Sequence, residues 1–115
     1  TNFRVSISDY QNNIEQMIDI CHNHNITPFL LTAPYYFEII PEYYYSIFPR
    51  NMNLIEVHKS YNNIVKKIGL LKNVKVIDLE QMLNQAATKS YFYADGVHLN
   101  INGRTFIADA IAEYF

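Results

Sequence analysis

Glycine is scarce in this sequence: Gly69, Gly96 and Gly103 are the only three among 115 residues. A G-x-S-x-G elbow, the strand–turn–helix device that exposes a nucleophilic serine, is therefore missing. Cys21 is the single cysteine, which excludes an internal disulfide framework and leaves the redox compartment undetermined. No Cys or His spacing matches a zinc site, so neither a metal nor another cofactor is expected. Basic runs are absent too. With 9 Lys and Arg against 11 Asp and Glu, the net charge is -2 and a nucleic-acid partner is not expected. No apolar stretch approaches the roughly 20 residues that span a bilayer. No secretory leader is visible, but the sequence opens TNFRVS without Met, as a mature product or a fragment would. Localisation stays undetermined.

What is present is apolar and aromatic. Hydrophobic residues make up 50% of the chain, enough for the core of one small domain. There are 10 tyrosines and 7 phenylalanines. Ser8-Asp9-Tyr10-Gln11 has the form of a capping box, and behind it Ile14, Met17, Ile18 and Cys21 recur at helical spacing. Cys21 falls on that stripe, which reads as packing. Asn23-His24-Asn25 suits the end of the helix. His22 and His24 are two residues apart, so they point away from one another and read as solvent-facing rather than as a metal pair. Phe29, Leu30 and Leu31 then form a short continuous apolar run, the pattern of a strand buried on both faces.

The order repeats. Asn53 can cap a second helix with an apolar stripe of Leu54, Val57, Tyr61, Ile64, Val65 and Ile68, and Gly69 stands where a left-handed residue would end it. His58 lies beside the stripe and reads as boundary packing. VKVIDL (74–79) reads as a second strand, and Leu79, Met82, Leu83 and Ala86 mark a short helix after it. Asn100 caps a last helix with Phe106, Ile107, Ala110, Ile111 and Tyr114 on its inner face. Helix, turn and strand in repeated order predict an α/β fold with a parallel sheet. Two strands cannot complete a doubly wound sheet, whose faces both need helices and whose outer edges need partners. Roughly half a sheet is therefore expected to lie outside this chain.

Residues 34–51, PYYFEIIPEYYYSIFPRN, hold three prolines and many aromatics. A long regular element is excluded there. Tyrosines combine apolar faces with hydroxyls, so Tyr35, Tyr36, Phe37, Tyr43, Tyr44, Tyr45 and Phe48 form either a lid over an acyl or sugar substrate or an insertion packed on the domain or on a second copy.

The chemistry concentrates in YFYADGVHLNINGRTF, residues 91–106. Asp95 and His98 are three apart on a tight loop, so one segment presents both to the same side. From Asp-x-x-His alone, an ordinary turn ahead of a histidine is the simpler reading. Gly96 within the loop, Asn100 at the helix start and Gly103 in its first turn change that reading, because together they specify a rigid presentation of an acid–base pair. In a hydrolytic triad the imidazole takes the serine proton and the carboxylate fixes its tautomer. No internal serine completes such a device: Ser6, Ser8, Ser46 and Ser60 have cap, loop or helix-surface positions, and Ser90 is too near Asp95 in sequence.

Asp95-Gly96-Val97-His98-Leu99-Asn100-Ile101-Asn102-Gly103 resembles the last sequence block of the SGNH, or GDSL-type, hydrolase superfamily, whose triad Asp and His sit as D-x-x-H before the C-terminal helix. The remainder is similar to the C-terminal half of such a domain, from the helix at 9–24 through FLLTAP and YNNIVKKIG to VKVIDL; only the final block is specific. The resemblance implies a three-layer α/β/α, flavodoxin-like fold, of which residues 1–115 are the C-terminal portion. It also implies a serine ester hydrolase in which His98 is general base and then acid and Asp95 its orienter, with no cofactor. Small acyl esters, O-acetylated carbohydrates among them, are the implied substrates. The superfamily's Gly-Asp-Ser nucleophile block and its oxyanion Gly and Asn are missing, and Asn2, where a remnant of the Gly-x-Asn block would fall, lacks the Gly-x context. The remaining N-terminal part of the same domain is thus the expected partner, and this chain alone is expected to be inactive. A catalytically degenerate module that binds carbohydrate through its tyrosine-rich loop is the alternative.

Overall fold

The computed structural model describes residues 4–36, 42–86 and 89–115. Among these, α1 (Ile7–Asn23), β1 (Phe29–Leu31), α2 (Leu54–Lys72), β2 (Lys75–Ile77), α3 (Leu79–Ala86) and α4 (Ile101–Ala112) follow in order. Short 3-10 turns lie at Glu42–Ser46 and Lys89–Tyr91. β1 and β2 pair in parallel, with Phe29 opposite Lys75, Leu30 opposite Val76 and Leu31 opposite Ile77. A parallel pair needs a long crossover, and α2 is that crossover. The expected α/β class with a parallel sheet is therefore what the chain adopts. It folds into two compact units, Thr1–Thr32 with Leu54–Ile77, and Ala33–Asn53 with Asp78–Phe115.

In the first unit Ile14, Ile18, Val65, Ile68 and Val74 form the core, with Tyr10, Leu30, Ile64 and Val76 packed against it. Ile18 and Ile68 are fully buried, each contributing about 1.5–3 kcal/mol of transfer free energy. Outside the core, the Tyr10 ring meets Tyr61 edge-on at 5.0 Å, and the Tyr61 hydroxyl donates to the Val5 carbonyl at 2.5 Å. Cys21 is half-buried on α1 with a free thiol.

Several local expectations change. The cap of α1 is Ser6, not Ser8: its hydroxyl accepts from the Asp9 N–H at 3.0 Å. The serine earlier in the chain wins because Ile7 already sits in the helix. Gly69 does not end α2. It is buried inside the helix, facing β2, where a Cβ would overlap the Val76 side chain. The left-handed residue that ends the helix is Asn73 (φ 53), just as Asn25 (φ 57) follows α1. Asparagine tolerates that conformation because its short side chain can bond locally. β1 is not covered on both faces, since Leu31 is 43% exposed. β2 ends before Asp78, which leaves the ladder to start α3: its carboxylate accepts from the Gln81 N–H at 3.2 Å.

In the second unit Tyr35, Leu79, Leu83 and Phe92 are buried. α4 packs on the Lys89–Tyr91 turn, with the Tyr91 and Phe106 rings 5.0 Å apart. Among the described residues, no helix is long and apolar enough to cross a membrane.

Candidate active site

The segment before α4 is a tight hairpin. Phe92 faces Leu99 in an antiparallel bridge, the Asn100 N–H donates to the Tyr91 carbonyl at 3.0 Å, and the Tyr93 N–H donates to the His98 carbonyl at 2.8 Å. Ala94, Asp95 and Gly96 make the bend, closed by the Gly96 N–H on the Tyr93 carbonyl at 3.0 Å. Gly96 has φ 74, a conformation in which a Cβ would be strained, so glycine belongs there.

Asp95 occupies both of its carboxylate oxygens. Oδ1 accepts from the Val97 N–H at 3.0 Å and the His98 N–H at 2.9 Å, the local bonding that makes aspartate a turn residue. Oδ2 meets Nδ1 of His98. One oxygen thus shapes the loop and the other engages the imidazole. The Asp95 side chain is 20% exposed, while that of His98 is 78% exposed. An imidazole this open is not a satisfied core histidine. With Nδ1 turned to the carboxylate, Nε2 on the far side of the ring is accessible to an incoming hydroxyl.

Burial opposes ionisation of Asp95, but the hydrogen bonds from the His98 N–H, the His98 ring and the Val97 N–H outweigh it, and its pKa lies below the ordinary carboxylate value. A lowered folded-state pKa stabilises the fold above the unfolded-state value, about 4, and that contribution is lost as pH falls through the lower, folded value. Carboxyl carbon NMR should therefore show Asp95 titrating below a model aspartate, and the hairpin amides should lose protection, relative to their intrinsic exchange rates, only in that acid range. An Asp95 midpoint at or above the model value would contradict the bonding described here.

The loop is fixed to α4 by Asn100. Its Oδ1 accepts from the Gly103 N–H at 3.0 Å, as the expected cap requires, and Nδ2 donates to the carbonyl of Ser90 and, at 3.5 Å, to that of Phe92. Gly103 is the only fully buried residue of α4, pressed against Tyr91 and Leu99.

Elsewhere, Ser60 bonds the Glu56 carbonyl at 2.8 Å, and Ser90 is exposed. The His24 ring bonds the Ile20 carbonyl at 2.8 Å, closing the end of α1, and His22 is exposed. Among the described residues, no three His, Cys, Asp or Glu side chains converge as metal ligands. Asn2 and Phe37 lie outside the described residues, as does the side chain of Tyr43. In the tyrosine-rich segment, burial and then the Glu80 carboxylate push the Tyr35 phenol up. Tyr45 carries the Arg50 guanidinium 4.8 Å above its ring, and Arg50 pairs with Glu42.

A crystal structure of a lipase/acylhydrolase from Enterococcus faecalis superposes with a TM-score of 0.73 at 20% identity, over 97% of this chain and 52% of that one. The two share a fold. This chain spans about half the length of that protein. No protein-family model matches the sequence, and no curated protein matches it.

Proposed function

We propose that this chain is the acid–base portion of an SGNH-type serine ester hydrolase domain. The observation that carries the reading is the Asp95–His98 pair, with Nδ1 on the carboxylate and Nε2 open on a rigid hairpin. The shared fold with a lipase/acylhydrolase supports it, and the 52% coverage of that protein leaves room for a nucleophile and oxyanion donors outside these residues.

In the proposed reaction Nε2 of His98 takes the proton of a serine hydroxyl as that oxygen attacks the ester carbonyl. The imidazolium then returns the proton to the departing alcohol. Water repeats the cycle on the acyl-enzyme and releases the acid, while Asp95 stays ionised and holds the ring. Small acyl esters are the proposed substrates, with O-acetylated carbohydrates among them. The exposed imidazole sits in water, where its contribution is weakest.

A fluorophosphonate probe on the full-length protein tests this reading. A single labelled serine outside residues 1–115, with labelling abolished by His98→Ala, is expected. An active-fold preparation that takes no label would favour the degenerate binding module. The 115-residue chain alone should leave p-nitrophenyl acetate intact; turnover that His98→Ala removes would overturn the assignment of the nucleophile elsewhere.

A further inference from the structure

The tyrosine-rich segment holds the acid–histidine turn from outside. The Tyr44 hydroxyl donates to the Asp95 carbonyl at 3.1 Å, and the Tyr36 N–H donates to the Gly96 carbonyl at 2.7 Å. The Tyr36 ring also stacks on Phe92, at the base of the hairpin, with centroids 6.4 Å apart. These bonds fall on consecutive peptide planes, and each plane is held at both ends. In the plane joining Asp95 to Gly96, the carbonyl is bound by Tyr44 and the N–H by the Tyr93 carbonyl. In the next plane, the carbonyl is bound by the Tyr36 N–H and the N–H of Val97 by Oδ1 of Asp95.

A peptide plane moves as a unit, so bonding both its ends blocks rotation about the flanking dihedrals. This matters most beside Gly96, whose missing side chain leaves both signs of φ accessible and makes the turn prone to flip. Loss of the bonds on the first plane would loosen the turn that carries Asp95, and with it the placing of Oδ2 against Nδ1 of His98. We infer that Tyr44 is a positioning residue for the Asp95–His98 pair, acting through the Asp95 carbonyl rather than on substrate. For its effect on turnover this inference rests on the hydrolase reading above; for its effect on the turn it stands alone.

Tyr44→Phe keeps the ring and removes the hydroxyl. In the full-length protein, losing one such bond should raise amide exchange at Gly96 and Val97 about tenfold while core amides of α2 keep their protection. kcat for p-nitrophenyl acetate should fall about 3- to 10-fold with KM held within about twofold, because orientation and not binding is lost. Tyr45→Phe, at the ring that carries Arg50, should change neither readout. Unchanged exchange at Gly96 and Val97 in Tyr44→Phe would overturn the inference. So would a raised KM at constant kcat, which would make Tyr44 a substrate contact. If the wild-type protein neither takes the fluorophosphonate label nor cleaves esters, the hydrolase reading fails and the exchange data alone decide the role of Tyr44.

Discussion

On the hydrolase reading proposed above, Asp95→Asn in the full-length protein should lower kcat by about 10³–10⁴-fold while leaving the hairpin intact. The two carboxylate oxygens have separate tasks, and the substitution separates them. An amide oxygen in the place of Oδ1 still accepts from the Val97 and His98 N–H groups, so the turn is kept. An amide nitrogen in the place of Oδ2 donates to Nδ1 of His98 instead of accepting from it. The ring proton is then forced onto Nε2, which can no longer accept a proton from a serine. KM should stay near wild type, since the turn and its surroundings persist. Asp95→Ala removes both functions and should additionally speed amide exchange at Val97 and His98. Steady-state kinetics with thermal unfolding distinguishes the two variants. If Asp95→Asn keeps kcat within about threefold of an active wild type, Asp95 is a turn former and nothing more.

Gly103→Ala should be the most damaging single-methyl change for stability. In an exposed helix the same substitution gains about 1 kcal/mol from helix propensity. Here the added Cβ would overlap the Tyr91 carbonyl oxygen and lie 2.8 Å from Leu99 Cδ2. Backbone cannot rotate away as a side chain can, so overpacking, at about 1–3 kcal/mol or more, outweighs the propensity gain. Set against that gain, a net loss of about 1–2 kcal/mol corresponds to roughly 5 to 10 °C in Tm for a chain of this size. The Tyr91 carbonyl is also the acceptor for the Asn100 N–H, so the hairpin base and the helix start move together. Asn102→Ala, at an exposed neighbouring position, is the control and should leave Tm within a few degrees of wild type or raise it. An unchanged Tm for Gly103→Ala would mean that α4 and the hairpin do not meet as described.

The amphipathic stripes set the helices because burial of one face is a local, periodic property. The span from about Leu79 to Ala86 could be read, and Asn100 could be read as a cap because it stands directly before the apolar residues of the last helix. The pairing of Asp95 with His98 was equally legible, since three residues of chain carry all of it. Short range made these features readable. Gly69 shows the limit. Nothing local distinguishes a glycine that ends a helix from one that lets a strand approach, and only the position of Val76 decides between them. Leu31 shows it again, because an apolar run does not say which face a neighbouring element covers.

The sequence alone determined the α/β class, the four helices and a loop carrying an acid three residues before a histidine. Tertiary structure decided that the Asp95 carboxylate divides its oxygens between turn and imidazole. It also decided that Gly103 seats α4 on the Tyr91 backbone and that Tyr44 reaches the Asp95 carbonyl across 51 residues of chain. Periodicity and spacing encode what neighbours in sequence do to one another. A hydrogen bond between distant segments depends on where folding brings both ends, and no local pattern records that meeting.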